Sequence, residues 1–281
     1  HADFVVIGEG FASLRRILSG QVATGLVPFE TSEPIPRAER SEFYRDYPEL
    51  RASPIKSVIA RTGCPFACSY CYNSSDLSSL QGHIPEATFA TLENSLGAHG
   101  RLFADNRRTP DEVIDEVAHI LSVAPETKMI FFQDDVFGAD SSWLRNFSRG
   151  FSTFRMEFHA QMRFEYVDPR RDACRERTEL LRAAGCTGLT LAIESADPVV
   201  RSELLNRPMD DDLILRVMRH LAKFGFRVRT EQMLGLPCGA TSRTTAVNLE
   251  ADLATLRLNV RIRQETGLPT TAWASIFVPY P

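Results

Sequence analysis

The sequence predicts an α/β fold, a partial (β/α)6 barrel, on three observations. Six apolar runs recur at about residues 56–61, 128–133, 156–162, 188–194, 226–234 and 272–278. Amphipathic helices fall between them, and glycines close those helices. Strands separated by helices read as parallel, joined by right-handed crossovers. Six such units suit a partial barrel better than a complete eightfold one. An open doubly wound sheet shows the same alternation and is the alternative.

In chain order, a short apolar run at residues 3–7 precedes Gly8-Glu9-Gly10, and Leu14, Ile17 and Leu18 follow at helical spacing. That is a strand, a glycine turn and a helix, half of an α/β unit. Pro28, Pro34, Pro36, Pro48 and Pro54 then mark residues 21–54 as a linker. The alternation proper begins at residue 55. Thr109-Pro110-Asp111-Glu112 is a capping box with Pro at the first helical position, and Val113, Ile114, Val117, Ile120 and Leu121 share one face of the helix behind it. A second helix runs over about 174–184 and stops at Gly185. A third starts in Asp210-Asp211-Asp212, whose carboxylates suit a helix N-terminus. It presents Leu213, Ile214, Val217, Met218, Leu221 and Phe224, and Gly225 closes it. The expected division is an N-terminal remnant at 1–20, a linker at 21–54 and a core domain at 55–281. No initiator Met is present and both ends fall at strands, so the chain reads as an interior segment of a longer protein.

A chain of 281 residues, 43% hydrophobic, buries a core without disulfides or a structural metal. Thirty-six acidic against thirty-two basic residues leave a formal charge of -4, no footprint for nucleic acid. No apolar run approaches the roughly 18 residues of a membrane span, and no signal peptide is visible. A cytoplasmic protein is expected.

In barrels of this type the chemistry sits at the C-terminal ends of the strands. Behind the first strand stands Arg61-Thr62-Gly63-Cys64-Pro65-Phe66-Ala67-Cys68-Ser69-Tyr70-Cys71, a CxxxCxxC spacing. Three thiolates on one short loop can wrap one metal centre, and three protein ligands on a four-iron cluster leave one iron open. Sulfur donors favour iron–sulfur or zinc. Zinc would want a fourth ligand from His83, Cys174 or Cys186, and there is no second CxxC pair.

Glu157, His159, Gln161 and Arg163 share one face of the third strand, and Arg227, Arg229 and Glu231 one face of the fifth. Buried polar groups need partners, which a ligand or internal ion pairs would supply. Arg163, at a strand end, suits a carboxylate ligand bidentately, or else an internal bridge to Glu157, Asp134 or Glu231. Of Asp134 and Asp135, one points inward. Glu194 follows Leu191-Ala192-Ile193 and demands a partner. Cys174, Cys186 and Cys238 read as inert, core and incidental, respectively. His83 and His99 lie in a long segment, 72–106, that reads as a substrate-covering element or a surface excursion.

Through these residues the sequence resembles the radical S-adenosylmethionine (SAM) enzymes, over nearly all of residues 1–281. The resemblance is greatest to the branch with an N-terminal cobalamin-binding domain. It is carried by Val5-Val6-Ile7-Gly8-Glu9-Gly10, Gly63-Cys64-Pro65-Phe66 with the cysteine triplet, Asp134-Asp135-Val136-Phe137, Glu194-Ser195, Gly235-Leu236-Pro237 and Pro279-Tyr280-Pro281, in that order. Ala192 and Ala196 stand where the family often has Gly, and Pro237-Cys238-Gly239-Ala240-Thr241 replaces the usual Pro-Gly-Glu-Thr.

The resemblance implies a radical SAM barrel behind the tail of a Rossmann-like cobalamin domain. Cys64, Cys68 and Cys71 would hold a 4Fe-4S cluster. Tyr70, Asp134, Arg163, Glu194, Ser195 and Gly235 would contact SAM, and Gly8, Glu9 and Gly10 cobalamin. The implied reaction is reductive cleavage of SAM to a 5′-deoxyadenosyl radical, used for cobalamin-dependent methylation of an unactivated carbon. The substrate would be a small molecule or peptide, and flavodoxin or ferredoxin would be the electron donor. Cyclisation or rearrangement within the same branch, and a non-catalytic zinc-stabilised α/β binding module, are the alternatives.

Overall fold

The computed structural model describes residues 2–8, 10–22, 24–28, 34–97, 100–103, 105–237 and 249–278. The chain opens with β1 (Phe4–Ile7), α1 (Phe11–Leu18) and β2 (Gly25–Pro28), then α2 (Arg40–Asp46), α3 (Pro48–Ala52), β3 (Ile55–Val58) and a two-residue β4 (Arg61–Thr62). Past the cysteines come α4 (Glu86–Leu96) and β5 (Asn106–Arg107). Helices and strands then alternate as α5 (Pro110–Val123), β6 (Met129–Phe132), α6 (Ser141–Phe151), β7 (Glu157–Met162), α7 (Asp172–Ala184), β8 (Cys186–Glu194), α8 (Asp211–Lys223), β9 (Arg227–Leu234), α9 (Leu249–Thr266) and β10 (Thr270–Ile276). These elements form two compact units, residues 1–37 with 61–108, and residues 38–60 with 109–281.

The larger unit holds one parallel sheet in the order β3-β6-β7-β8-β9-β10. Each strand lies beside its predecessor, so the order never reverses as a doubly wound sheet requires. Crossovers of one hand then all fall on one side and curl the sheet. The fold is the expected six-stranded partial barrel, and all six predicted strands are present.

The helix signals act as read. Thr109 Oγ1 accepts the Glu112 amide (3.3 Å) while the Glu112 carboxylate accepts the Thr109 amide (2.7 Å). Asp210 caps α8 by accepting from the Leu213 amide at 2.7 Å. Gly185, at φ +108, ends α7 where any Cβ would stand 2.4 Å from the Met156 carbonyl oxygen. One helix the periodicity did not single out, α6, carries Trp143, Leu144, Phe147 and Phe151 buried. Trp143 stacks on Phe147 and Phe147 on Phe151 (5.2 and 5.1 Å), and these rings meet Phe132, Phe137 and Phe158 edge-on at 5.0–6.0 Å between centroids, the aromatic heart of this core.

Part of the stretch expected as a linker, residues 25–28, 40–46 and 48–52, lies in short elements. β2 pairs in parallel with β1, completing a βαβ unit, and Pro48 starts α3 at its first position. Arg40 on α2 pairs with buried Glu116 of α5 at 2.6 Å. Lys56 on β3 donates to the carbonyls of Leu50 (2.8 Å), Arg51 (2.6 Å) and Ser53 at the end of α3. Pro28 thus ends β2 and Pro48 begins α3.

In the smaller unit, Ile7, Leu77, Leu92 and Leu102 form a core, with Leu26, Leu80, Ile84, Phe89, Leu96 and Phe103 packed on it. The described part of segment 72–106 thus shares a hydrophobic centre with β1 and β2. No described helix is long and apolar enough to cross a membrane. Glu9, His99, Cys238 and residues 279–281 lie outside the described residues.

Candidate active site

The cysteine loop belongs to the smaller unit. Gly63 enters it at φ +82, a left-handed conformation that suits glycine. The Cys71 amide donates to the Cys68 carbonyl (3.1 Å), and the Ser74 amide to the Cys71 carbonyl (3.0 Å). This brings the second and third cysteines onto one turn. Cys68 is buried and Cys64 and Cys71 are half-buried, and none of the described cysteines is in a disulfide. The Arg101 guanidinium donates to three successive carbonyls of the loop, those of Cys64, Pro65 (3.3 Å) and Phe66 (3.3 Å). Tyr70 is half-buried between the last two cysteines.

Among the described residues no three His, Cys, Asp or Glu side chains are drawn together as a metal-binding group. The donor set nevertheless fits an iron–sulfur cluster. Three thiols lie on one loop, and two residues after Cys71 stands Asn73, 1% exposed, whose Oδ1 and Nδ2 have no partner. A buried amide without partners is costly and marks a place where a bound group is expected to complete the hydrogen bonding. Of the residues weighed as a fourth zinc ligand, Cys174 and Cys186 belong to the larger unit. The Cys174 thiol donates to the Glu165 carbonyl (3.4 Å) and that of Cys186 to the Gly188 carbonyl (3.3 Å) in the core of the larger unit, where burial pushes the Cys186 thiol pKa upward. His83 is exposed.

The strand ends belong to the larger unit. Asp134 is the buried member of its pair, Asp135 being half-buried, and its Oδ1 accepts the Ala60 amide at 2.8 Å. Glu194, 7% exposed, ends β8 at φ +66, with a register shift between Ala192 and Glu194 where β8 meets β9. A non-glycine residue in that region is strained, and such strain concentrates at functional positions. Ser195 is buried, and its hydroxyl accepts the Asp197 amide at 3.2 Å.

Buried Arg163 meets Glu165, two residues on, at 2.6 Å, a partner absent from the three the sequence offered. Burial alone would raise the Glu165 carboxyl pKa, but the Arg163 hydrogen bond and charge outweigh it and hold it down. Gly235 has φ +77 and nothing near its would-be Cβ, so a backbone conformation rather than a close approach demands glycine there.

Two residues of α9 that sequence reasoning missed hold these ends. The Asp252 carboxylate accepts the Gly235 amide at 3.0 and 3.1 Å, and Thr255 Oγ1 accepts the Ala196 amide at 2.9 Å. Their signal was a helical i,i+3 spacing of small polar residues in a segment whose leucines form no clear stripe. In the smaller unit, Gly8 has φ +79 and Gly10 is the N-cap of α1.

The polar stripes largely satisfy one another. Glu157 pairs with Arg227 at 3.1 Å and Arg229 with Glu231 at 2.6 Å. The His159 ring stacks on Phe131 at 4.6 Å and 12°, and its Nε2 hydrogen-bonds Thr190 Oγ1 at 2.7 Å. Arg229 lies over the rings of Phe131 and Trp273, 5.6 Å from each centroid. Burial, then the Arg229 and Arg227 charges, push the His159 pKa down to about 4, so this face carries a neutral imidazole.

The profile of the Radical SAM superfamily matches residues 58–238. Two solved proteins share the fold. The radical SAM methyltransferase TsrM from Kitasatospora setae, solved with cobalamin and a 4Fe-4S cluster, is 16% identical at a TM-score of 0.56, with 88% of this chain and 38% of that one covered. The cobalamin-dependent SAM radical enzyme OxsB, solved with aqua-cobalamin, is 13% identical at a TM-score of 0.59, with 88% and 34% covered. The chain thus spans little more than a third of either protein. No curated protein matches it. The profile match covers well over half of the chain and includes the cysteine triplet, so this chain belongs to the radical SAM superfamily.

Proposed function

We propose that this chain is the core of a cobalamin-dependent radical SAM C-methyltransferase acting in the cytoplasm. The observation that carries the iron–sulfur part is the loop of three unbridged thiols beside the orphaned Asn73 amide. The cobalamin part rests on the βαβ unit of residues 4–28 with its Gly8 and Gly10 turn, and on the likeness of fold to TsrM and OxsB.

Cys64, Cys68 and Cys71, deprotonated, hold the cluster. With cluster, SAM and cobalamin bound, these groups supply the electron, the radical source and the methyl carrier. The residues do the rest. Tyr70 would lie by the adenine. Glu194 would accept hydroxyl or ammonium protons of SAM, from a direction its left-handed backbone fixes. Ser195 adds a hydroxyl beside it. Arg163 meets an anionic end of the ligand while Glu165 keeps its charge compensated. Asp134, whose Oδ1 accepts the Ala60 amide, would contact SAM. Gly235, held by Asp252, presents its backbone to the nucleoside. Gly8, Glu9 and Gly10 would contact cobalamin, Glu9 lying outside the described residues. A flavodoxin or ferredoxin would supply the electron, and the substrate would be a small molecule or peptide.

The test is anaerobic reconstitution of the full-length protein with iron and sulfide, followed by EPR of the reduced sample with and without SAM. The expected result is about four irons per chain and a signal that SAM shifts, both lost in Cys68→Ala. Zinc uptake without a cluster signal overturns the reading. A methylated product supports methyl transfer, and 5′-deoxyadenosine with a cyclised or isomerised product overturns that part alone.

A further inference from the structure

Segment 72–106 delivers the Arg101 side chain to the cysteine loop. Residues 100–102 run antiparallel to residues 75–77, bridged at Asp76 and Arg101. The Leu77 amide donates to the Gly100 carbonyl (2.9 Å) and the Leu102 amide to the Ser75 carbonyl (3.1 Å). Leu77 and Leu102 are 0% and 5% exposed in the core of the smaller unit. Extended backbone alternates its side chains, so anchoring these two leucines inward turns Arg101, between them in register, outward. There its guanidinium takes the carbonyls of Cys64, Pro65 and Phe66.

These three residues belong to no helix or strand, and their carbonyls still need donors. One planar fork with five N–H groups satisfies all three, which the compact ammonium of a lysine would not do with the same geometry. The fork also fixes the backbone that carries the first thiol and leads to the second.

We propose that Arg101 is the positioning residue of the cysteine loop: it sets the loop's shape for the iron–sulfur cluster and places a positive charge near it. The proposal rests on the cluster reading above. Cluster potentials depend on net charge and hydrogen bonding around the sulfurs. A nearby cation favours the reduced, more negative state and so raises the potential.

The two functions of Arg101 separate by substitution in the full-length protein. In the cluster-free protein, Arg101→Gln and Arg101→Lys are each expected to speed amide hydrogen exchange over residues 66–71 by about tenfold, the worth of a charge-assisted hydrogen bond, with α4 unchanged. After reconstitution, both variants are expected to lose iron to a chelator about tenfold faster than wild type. Only Arg101→Gln is expected to lower the cluster's midpoint potential, because Arg101→Lys keeps the charge. Wild-type exchange and extraction rates in Arg101→Gln would overturn the proposal. Equal potentials in Arg101→Gln and wild type would overturn its charge component. If Arg101→Gln does not fold, Arg101→Lys still decides the fork. If wild type assembles no cluster, the cluster reading fails, and the exchange measurement still decides whether Arg101 holds the loop.

Discussion

Gly188 on β8 leaves the space that the His159 ring of β7 fills: a Cβ at residue 188 would stand 2.4 Å from Nδ1 of that ring. The ring cannot swing aside at low cost, because Phe131 stacks on it and Thr190 hydrogen-bonds it. Gly188→Ala is therefore expected to destabilise the protein by about 1–3 kcal/mol, the range for overpacking a filled core. In Gly188→Ala/His159→Ala the clash is gone, so the two changes should couple strongly. Urea unfolding of the four proteins measures this, and simple additivity would show that the contact is not tight.

The same histidine should make stability depend on pH. Its ordinary pKa is near 6.5 and the fold lowers it to about 4, so between those values the unfolded chain binds the extra proton. Stability then falls as pH drops through 6.5 and levels off below about 4. His159→Gln should flatten this acid limb in part. His220, which burial also lowers, accounts for a further share. Unfolding midpoints from pH 7.5 to 4 check the sign, and a limb unchanged in His159→Gln would remove His159 as a cause.

What the sequence made legible follows from short-range physics. The six strands, the Thr109–Glu112 capping box and the Gly185 stop are set by residues within a few positions of one another, and each stands where the pattern put it. The cysteine triplet was legible for the same reason. The helix at 141–151 was not, since serines, Gly150 and a scatter of aromatics give weak propensity, and its stability comes from rings supplied by β6 and β7. The pairings were also hidden. Arg163 with Glu165, Asp252 with the Gly235 amide and Arg101 with the Cys64–Phe66 carbonyls depend on how turns aim side chains, which no spacing encodes.

Lys56 ties β3 to the end of α3. It is 3% exposed, and its ammonium satisfies the last carbonyls of α3 while lying 5.2 Å from the Tyr44 ring centroid. Burial lowers its pKa, and the ammonium donates to the Leu50, Arg51 and Ser53 carbonyls. Lys56→Met keeps the length of the side chain and removes the donor. A loss of about 1–3 kcal/mol is expected, read as a lower urea midpoint with an unchanged slope. An unchanged midpoint would mean that water serves those carbonyls equally well.

Glu194 lets backbone strain be measured apart from function. At φ +66 a residue with a Cβ is strained by about 1 kcal/mol relative to glycine. Glu194→Ala and Glu194→Gly both remove the carboxylate and whatever it holds, so they differ chiefly in backbone preference. Inside an ordinary strand the glycine variant would be the weaker one. Here the order should reverse, with Glu194→Gly more stable than Glu194→Ala by about 1 kcal/mol in urea unfolding. Both should bind SAM at least about tenfold more weakly, the worth of one charge-assisted hydrogen bond, with the iron content of the reconstituted protein unchanged. If Glu194→Gly is the less stable of the two, the left-handed backbone is not a feature of the folded protein. If both bind SAM as wild type does, the strain serves the turn after β8 and not the ligand.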